Sequence, residues 1–204
     1  MPMPERDLLE LLLSSADKIL DRITLSHLSR YDRLQRALCV TNVAADPHYQ
    51  RTFNGYYRMQ RRLRDWYAYF FSLLQRERNN RNITFRAVLE ETYSTKGRIE
   101  PSFSSKLVAT IRPEMPVYDK HVRANLLLAL PGTYKAPDVR VRDFIAVYSS
   151  LELRVAAIVQ NPLFIQDLRP AFDTRFPAYA HFTDVKKLDL FLWQHRTGSG
   201  SSDL

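Results

Sequence analysis

The sequence lacks, or has little of, several features that identify particular classes of protein. It contains one cysteine, Cys39, among 204 residues, which excludes a disulfide framework and a metal site built from several thiolates of this chain. Its longest apolar runs, such as residues 126–130, fall far short of the roughly 20 residues that a membrane helix needs. No charged-then-apolar leader is visible in the sequence. We therefore expect a cytoplasmic protein without a membrane partner.

Motifs for metal and phosphate chemistry are also missing. The five histidines show no His-x-x-x-His spacing, and there is no glycine-rich phosphate loop and no nucleophile elbow. We expect no metal and no cofactor, and we disfavour nucleotide hydrolysis and serine hydrolase chemistry.

What the chain does have is basic charge. The chain has 30 lysines and arginines and 22 acidic residues, which gives a net charge of +8, and 23 of the 30 basic residues are arginine. The planar guanidinium matches phosphate oxygens, so this balance favours a nucleic-acid partner. A generically basic protein remains the alternative.

Apolar spacing is helical along almost the whole chain. With 45% apolar residues it can bury a core, and apolar steps of three and four without period-two alternation predict an all-α fold of about eight or nine helices with a central cleft. The predicted helices are Asp7–Ile23, Leu28–Ala44, Phe53–Gln75, Thr84–Tyr93, Ser102–Ile111, one from Tyr118 or Asp119 to Leu130, Val139–Gln160, Pro162–Phe172, and a last helix capped by Thr183. We expect one domain over residues 1–196, with two lobes meeting near 94–120 as an alternative, and a disordered tail at 197–204.

One segment combines residues suited to catalysis. Residues 101–123 contain Lys106 in a short helix, a rigid crossing with Pro113 and Pro116, and Asp119 at the start of the next helix. Backbone N–H groups and the helix dipole keep a carboxylate ionised in that position. A plain N-cap for Asp119 and a solvated surface lysine for Lys106 are the alternatives.

The order of these parts resembles the helix-hairpin-helix DNA glycosylases. Residues 104–109, Ser-Ser-Lys-Leu-Val-Ala, resemble the end of the hairpin motif, and residues 116–122, Pro-Val-Tyr-Asp-Lys-His-Val, resemble the aspartate motif that follows it. Residues 53–58 and 186–193 extend the similarity to bacterial proteins with an 8-oxoguanine glycosylase fold, a circle that includes anti-phage glycosylases. The resemblance implies that Asp119 is the catalytic aspartate and that Lys106 corresponds to the lysine of bifunctional members.

The resemblance further implies a DNA glycosylase that acts on a modified base in double-stranded DNA, for repair or phage defence. A glucosylated hydroxymethylcytosine is one such base. The interval between Lys106 and Asp119 is shorter than in the family, which favours a monofunctional enzyme with water as nucleophile. We expect the protein to be a monomer.

The remaining candidate residues would hold the base or the DNA. A base that leaves the stack needs a pocket with aromatic walls, for which the candidates are Tyr118, His121, Tyr56, Tyr57 and Trp66, although aromatic residues at helical spacing also form cores. The candidates for DNA contacts are Arg58, Arg61, Arg62, Ser104, Ser105, Lys120 and Arg123, although a solvated helix face would carry the same arginines.

A second class of function fits the same residues. A non-catalytic helical protein that binds nucleic acid, or that assists defence, would keep the scaffold and the basic charge. The two alternatives differ at Asp119, which lies at the floor of a concave, aromatic-lined pocket in an enzyme and is a capped helix end without a cavity in a binding protein.

Overall fold

A computed structural model describes residues 5–59 and 62–195, and within these ranges the chain is all-helical with no strand. The all-α prediction is confirmed. The described residues form eleven α-helices, more than the eight or nine predicted: α1 Glu5–Ser14, α2 Ala16–Arg22, α3 Leu25–Val40, α4 Pro47–Tyr56, α5 Arg64–Glu77, α6 Phe85–Lys96, α7 Pro101–Ile111, α8 Lys120–Asn125, α9 Pro137–Val159, α10 Arg169–Arg175 and α11 Asp184–Gln194. A π-helical turn, Phe164–Leu168, leads into α10, and a 3-10 turn spans Pro177–Tyr179. The tail predicted at 197–204 lies outside the described residues.

Polar side chains start many of these helices. Thr24, Asp46, Thr84, Asp119 and Thr183 each accept a hydrogen bond from a backbone N–H in the first turn of the following helix. These bonds satisfy donors that have no partner inside a helix. The predicted cap at Thr183 is confirmed.

Two predicted helices are each broken in two. The segment 7–23 divides at Ser15 into α1 and α2, and 53–75 was predicted as one helix but contains the turn between α4 and α5. Arg58 there takes the left-handed conformation, with φ 50°, and Met59 N–H donates to Asn54 O at 2.9 Å. This hydrogen bond closes the helix end as in a Schellman motif.

The helix that follows Asp119 is also shorter than predicted. It ends at Asn125 rather than at Leu130, because Leu127 is left-handed, with φ 50°, and Leu128 N–H bonds back to Arg123 O. The chain therefore leaves α8 after six residues.

The core is built around α9, which packs against α1, α6 and α11. Its apolar stripe includes Phe144, Tyr148 and Leu151 and is buried. Phe85 of α6 stacks on the ring of Tyr148 with the centroids 3.9 Å apart. Helix α11 also contacts α2, α8 and α10. The last helix is therefore packed against an N-terminal helix and against the helix that Asp119 caps. None of the helices in the described ranges is both long and apolar enough to cross a membrane.

Candidate functional site

A cavity of about 430 Å³ is lined by residues of α3, α4, α7, α8 and α11 and of the segments that adjoin them. Its volume lies in the range of sites for small molecules. The residues that line it are His27, Tyr56, Tyr57, Arg58, Ser102, Lys106, Val117, Tyr118, Asp119, Lys120, His121, Arg123, Leu130, Lys186, Asp189, Leu190 and Trp193. Most of the predicted site residues are therefore brought together, although they come from distant parts of the sequence.

Asp119 is the N-cap of α8 and faces this cavity. Its Oδ1 accepts hydrogen bonds from the backbone N–H groups of His121 and Val122, both at 2.8 Å. Burial raises the pKa of the Asp119 carboxyl and the charge of Asp189 raises it further, against the opposing effect of the two N–H donors and of Lys106. Because both bonds go to one oxygen, Oδ2 is left for a ligand or a water.

Lys106 reaches the cavity from the middle of α7, and only 9% of its surface is exposed. Its Nζ donates to the backbone oxygen of Tyr57 at 2.9 Å. Burial lowers the pKa of this lysine, while the charges of Asp119 and Asp189 oppose the decrease. Lys106 is thus a buried amine in the electrostatic field of two carboxylates.

The segment that carries Asp119 is fixed to its neighbours through the backbone. Tyr118 N–H donates to Ser105 Oγ at 2.9 Å, and the Tyr148 hydroxyl donates to Pro116 O at 2.8 Å. Both bonds are buried, where a lost partner is costly. Helices α7 and α9 therefore hold the extended residues just before Asp119.

One wall of the cavity is a stack of aromatic rings. His27 lies against Tyr56, with ring centroids 4.5 Å apart, and against Trp193 at 5.6 Å. The guanidinium of Arg58 lies over the Trp193 ring, 4.6 Å from its centroid, and His121 meets that ring edge-on. Burial and the nearby Lys186 lower the pKa of His27 to about 4, so this histidine is neutral at pH 7.

Among the lining residues that sequence reasoning missed, four are charged or aromatic: Asp189, Lys186, Trp193 and His27. Lys186 Nζ bonds Asp189 Oδ2 at 2.6 Å, and both side chains are largely buried. A signal was present, because residues 186, 189, 190 and 193 follow the i, i+3, i+4, i+7 spacing of one helix face. This spacing places Lys186, Asp189 and Trp193 on one face of α11.

Several predicted contact residues lie elsewhere, and these assignments are corrected. Trp66 does not line the cavity but packs in the core against Phe70 and Phe103. Ser104 and Ser105, predicted to contact DNA, are 2% and 0% exposed. Their hydroxyls donate inside the fold, to Glu100 O and Ser102 O.

The predicted arginines divide into two groups. Arg62 makes a two-pronged ion pair with the buried Glu100, at 3.1 and 2.9 Å, and it does not line the cavity. We therefore expect a structural role for its guanidinium rather than the predicted phosphate contact. Arg58 is exposed at the cavity, where Lys120 is also exposed and Arg123 is half-buried. Arg61 lies outside the described residues.

No cluster of three or more histidine, cysteine or acidic side chains within residues 5–59 and 62–195 could hold a metal ion. Comparison with family models, curated proteins and solved structures gives no match to this chain. Its function must therefore be argued from the cavity.

Proposed function

We propose that the protein is a DNA N-glycosylase that takes a flipped base into this cavity. One observation carries the proposal: the Asp119 carboxylate is held at the start of α8 and faces a concave space whose wall is a stack of aromatic rings. Enzymes that act on a base must unstack it and hold it between aromatic or apolar groups. A helix end that served only as a cap would need no such cavity.

The chemistry proposed at Asp119 is hydrolysis. Breaking the bond between C1′ of the sugar and the base nitrogen builds positive charge on the sugar, and a nearby carboxylate stabilises that charge. A water oxygen then bonds to C1′ and one proton of that water passes to Asp119. The electron pair of the broken bond leaves with the base, which takes up a proton from solvent, and Asp119 returns the water proton to solvent. Because one carboxylate oxygen is held by two N–H groups, the other is presented in a fixed direction.

Lys106 is assigned a supporting role in this proposal. Its Nζ is already bound to Tyr57 O, and its positive charge lowers the pKa of Asp119. It therefore favours the ionised form of the carboxylate that the reaction needs. Water, rather than the lysine, is the proposed nucleophile, which makes the enzyme monofunctional.

The surroundings of the cavity suit a polyanion. Arg58 and Lys120 are exposed at the cavity and Arg123 is half-buried beside them. Cationic side chains next to the cavity would bind the phosphates on either side of the flipped nucleotide. Double-stranded DNA is accordingly the proposed partner.

The test is to incubate the protein with DNA of different base composition and to identify released bases by mass spectrometry. The panel contains unmodified cellular DNA, oxidised DNA and phage DNA with glucosylated hydroxymethylcytosine, and it separates repair from phage defence. We expect one class of base to be released by the wild type and not by Asp119→Asn. DNA binding without release of any base would instead support the non-catalytic binding protein.

A further inference from the structure

The pair formed by Lys186 and Asp189 is a second charged group in the cavity, apart from Asp119 and Lys106. The two residues lie one turn apart on α11 and are joined at 2.6 Å, with 7% and 14% of their side chains exposed. Lys186 Nζ also lies over the rings of Tyr31 and Tyr56, 4.7 and 5.2 Å from their centroids. A donor and an acceptor are therefore fixed side by side next to the aromatic wall.

A comparison on the same helix separates this pair from structural ion pairs. The adjacent Lys187 is equally buried, but its Nζ bonds Ala180 O at 2.8 Å and Asp173 at 2.7 Å. Those contacts join α11 to α10 and to the turn before α11, and neither Lys187 nor Asp173 lines the cavity. Lys186 and Asp189 both line it, although burying two charges there is costly.

The hydrogen-bonding capacity of the pair is only partly used. The bond to Lys186 is made by Asp189 Oδ2, which leaves Oδ1 to accept from another donor. A lysine ammonium carries three N–H donors, and one of them is used by Asp189. A flat ligand on the aromatic wall would thus meet an acceptor and a donor next to each other.

We propose that Lys186 and Asp189 recognise the edge of a base that has a ring N–H beside a carbonyl group. Asp189 accepts from the ring N–H, and Lys186 donates to the adjacent carbonyl oxygen. Guanine, hypoxanthine and uracil have this edge, whereas adenine and cytosine do not. The inference rests on the proposed function, because it names the class of base that this cavity takes.

The aromatic wall completes the site. Tyr56 supports both the ring of His27 and the ammonium of Lys186, so the wall and the pair share one side chain. A base stacked on the wall gains affinity that does not depend on its identity. Discrimination between bases would then come from the pair.

The experiment measures nucleotide affinity without requiring catalysis. In a Trp66→Phe background, Trp193 is the single remaining tryptophan of the two in the chain, and it lines the cavity. Its emission is titrated with dGMP and dUMP, and with dAMP and dCMP. We expect the first two to bind about tenfold to a hundredfold more tightly, the discrimination typical of a paired base edge.

Two variants separate recognition from support of the fold. Lys186→Met with Asp189→Leu removes both charges together, so that neither is left buried alone, and it should equalise the four dissociation constants. Lys187→Met is the matched control, which should keep the preference even if it unfolds at a lower temperature. Equal binding of all four nucleotides by the wild type would overturn the proposal, as would an unchanged preference in the double variant.

The outcome is independent of the outcome for glycosylase activity. Preferential nucleotide binding without release of any base would retain this recognition site and reject the enzyme. Base release that is indifferent to the loss of Lys186 and Asp189 would retain the enzyme and reject this recognition site.

Discussion

Two adjacent serines in α7 should respond very differently to the same substitution. Ser104 and Ser105 are both buried, but only Ser105 holds another part of the chain, since its Oγ accepts from Tyr118 N–H at 2.9 Å. Ser104 Oγ donates to Glu100 O, an oxygen that also accepts from the backbone N–H of Ser104. Ser105→Ala therefore leaves the buried Tyr118 N–H without an acceptor, whereas Ser104→Ala leaves no buried group without a partner.

The magnitudes follow from this difference. A buried polar group left without a partner costs about 1–3 kcal/mol of unfolding free energy, which lowers the melting temperature of a chain of this size by roughly 2–12 °C. Ser104→Ala should lower the free energy of unfolding by less than about 1 kcal/mol, because it leaves no buried group without a partner. Urea and thermal unfolding of the two variants beside the wild type measure both values.

The same pair tests whether residues 116–119 are fixed by α7. Ser105→Ala should also slow base release, because Asp119 directly follows the residue that loses its bond, while the salt dependence of DNA binding stays the same. Equal destabilisation by the two substitutions, or a larger effect at Ser104, would show that Ser105 does not fix residues 116–119 to α7.

Three further predictions concern binding and catalysis. Duplex DNA should bind with a log–log salt slope of roughly −4 to −5, from about four to six neutralised phosphates, and Arg58→Ala or Lys120→Ala should each flatten this slope by about one unit. Arg62→Ala, the control for an arginine paired inside the fold, should leave the slope unchanged. A wild-type slope near zero would exclude DNA as the partner. Borohydride should trap no adduct with the wild type, and Lys106→Ala should still release the base; a trapped adduct that is lost in Lys106→Ala would make the lysine the nucleophile. The rate of single-turnover base release should rise with pH through the pKa of Asp119, which burial raises above its ordinary value. In Lys106→Ala this rise should occur at higher pH, because the variant lacks the positive charge that lowers the pKa of Asp119. A pH–rate profile that is the same in Lys106→Ala would contradict the electrostatic role of Lys106.

The helical class could be predicted because apolar periodicity reports which face of a segment is buried. The stripe of α9 was visible in this way, whereas the cap at Thr183 was visible from the preference of threonine for that position. The break after Tyr56 was not, because apolar spacing continues through Met59 and Leu63 although α4 ends at Tyr56 and Arg58 is left-handed. A left-handed arginine is uncommon, and apolar periodicity does not predict one.

Only the part of the site that adjacent residues determine could be predicted from the sequence. Asp119 follows two prolines and precedes a helix, so its capping position could be predicted from adjacent residues. Whether an inward-facing ring meets a cavity or solid core depends on distant elements, and this is why Tyr56 lines the cavity while Trp66 packs against Phe103. The contribution of Lys186 likewise depends on where α11 docks.

Asp119 is proposed to be a catalytic carboxylate and not simply a helix cap, and the chain contains a matched control for it. Asp46 caps α4 in the same way, accepting from His48 N–H at 2.8 Å and Tyr49 N–H at 3.2 Å, and it does not line the cavity. Asparagine is as good an N-cap as aspartate, so Asp46→Asn and Asp119→Asn should both fold with small changes in stability.

The decisive measurement is single-turnover base release by the wild type and these two variants, on DNA carrying the base identified by mass spectrometry. Thermal melting and DNA affinity are recorded on the same preparations. We expect Asp119→Asn to release the base ~10²–10⁴-fold more slowly with unchanged or tighter DNA binding, and Asp46→Asn to react at the wild-type rate. Base release at the wild-type rate by Asp119→Asn, or equal losses in the two variants, would contradict it.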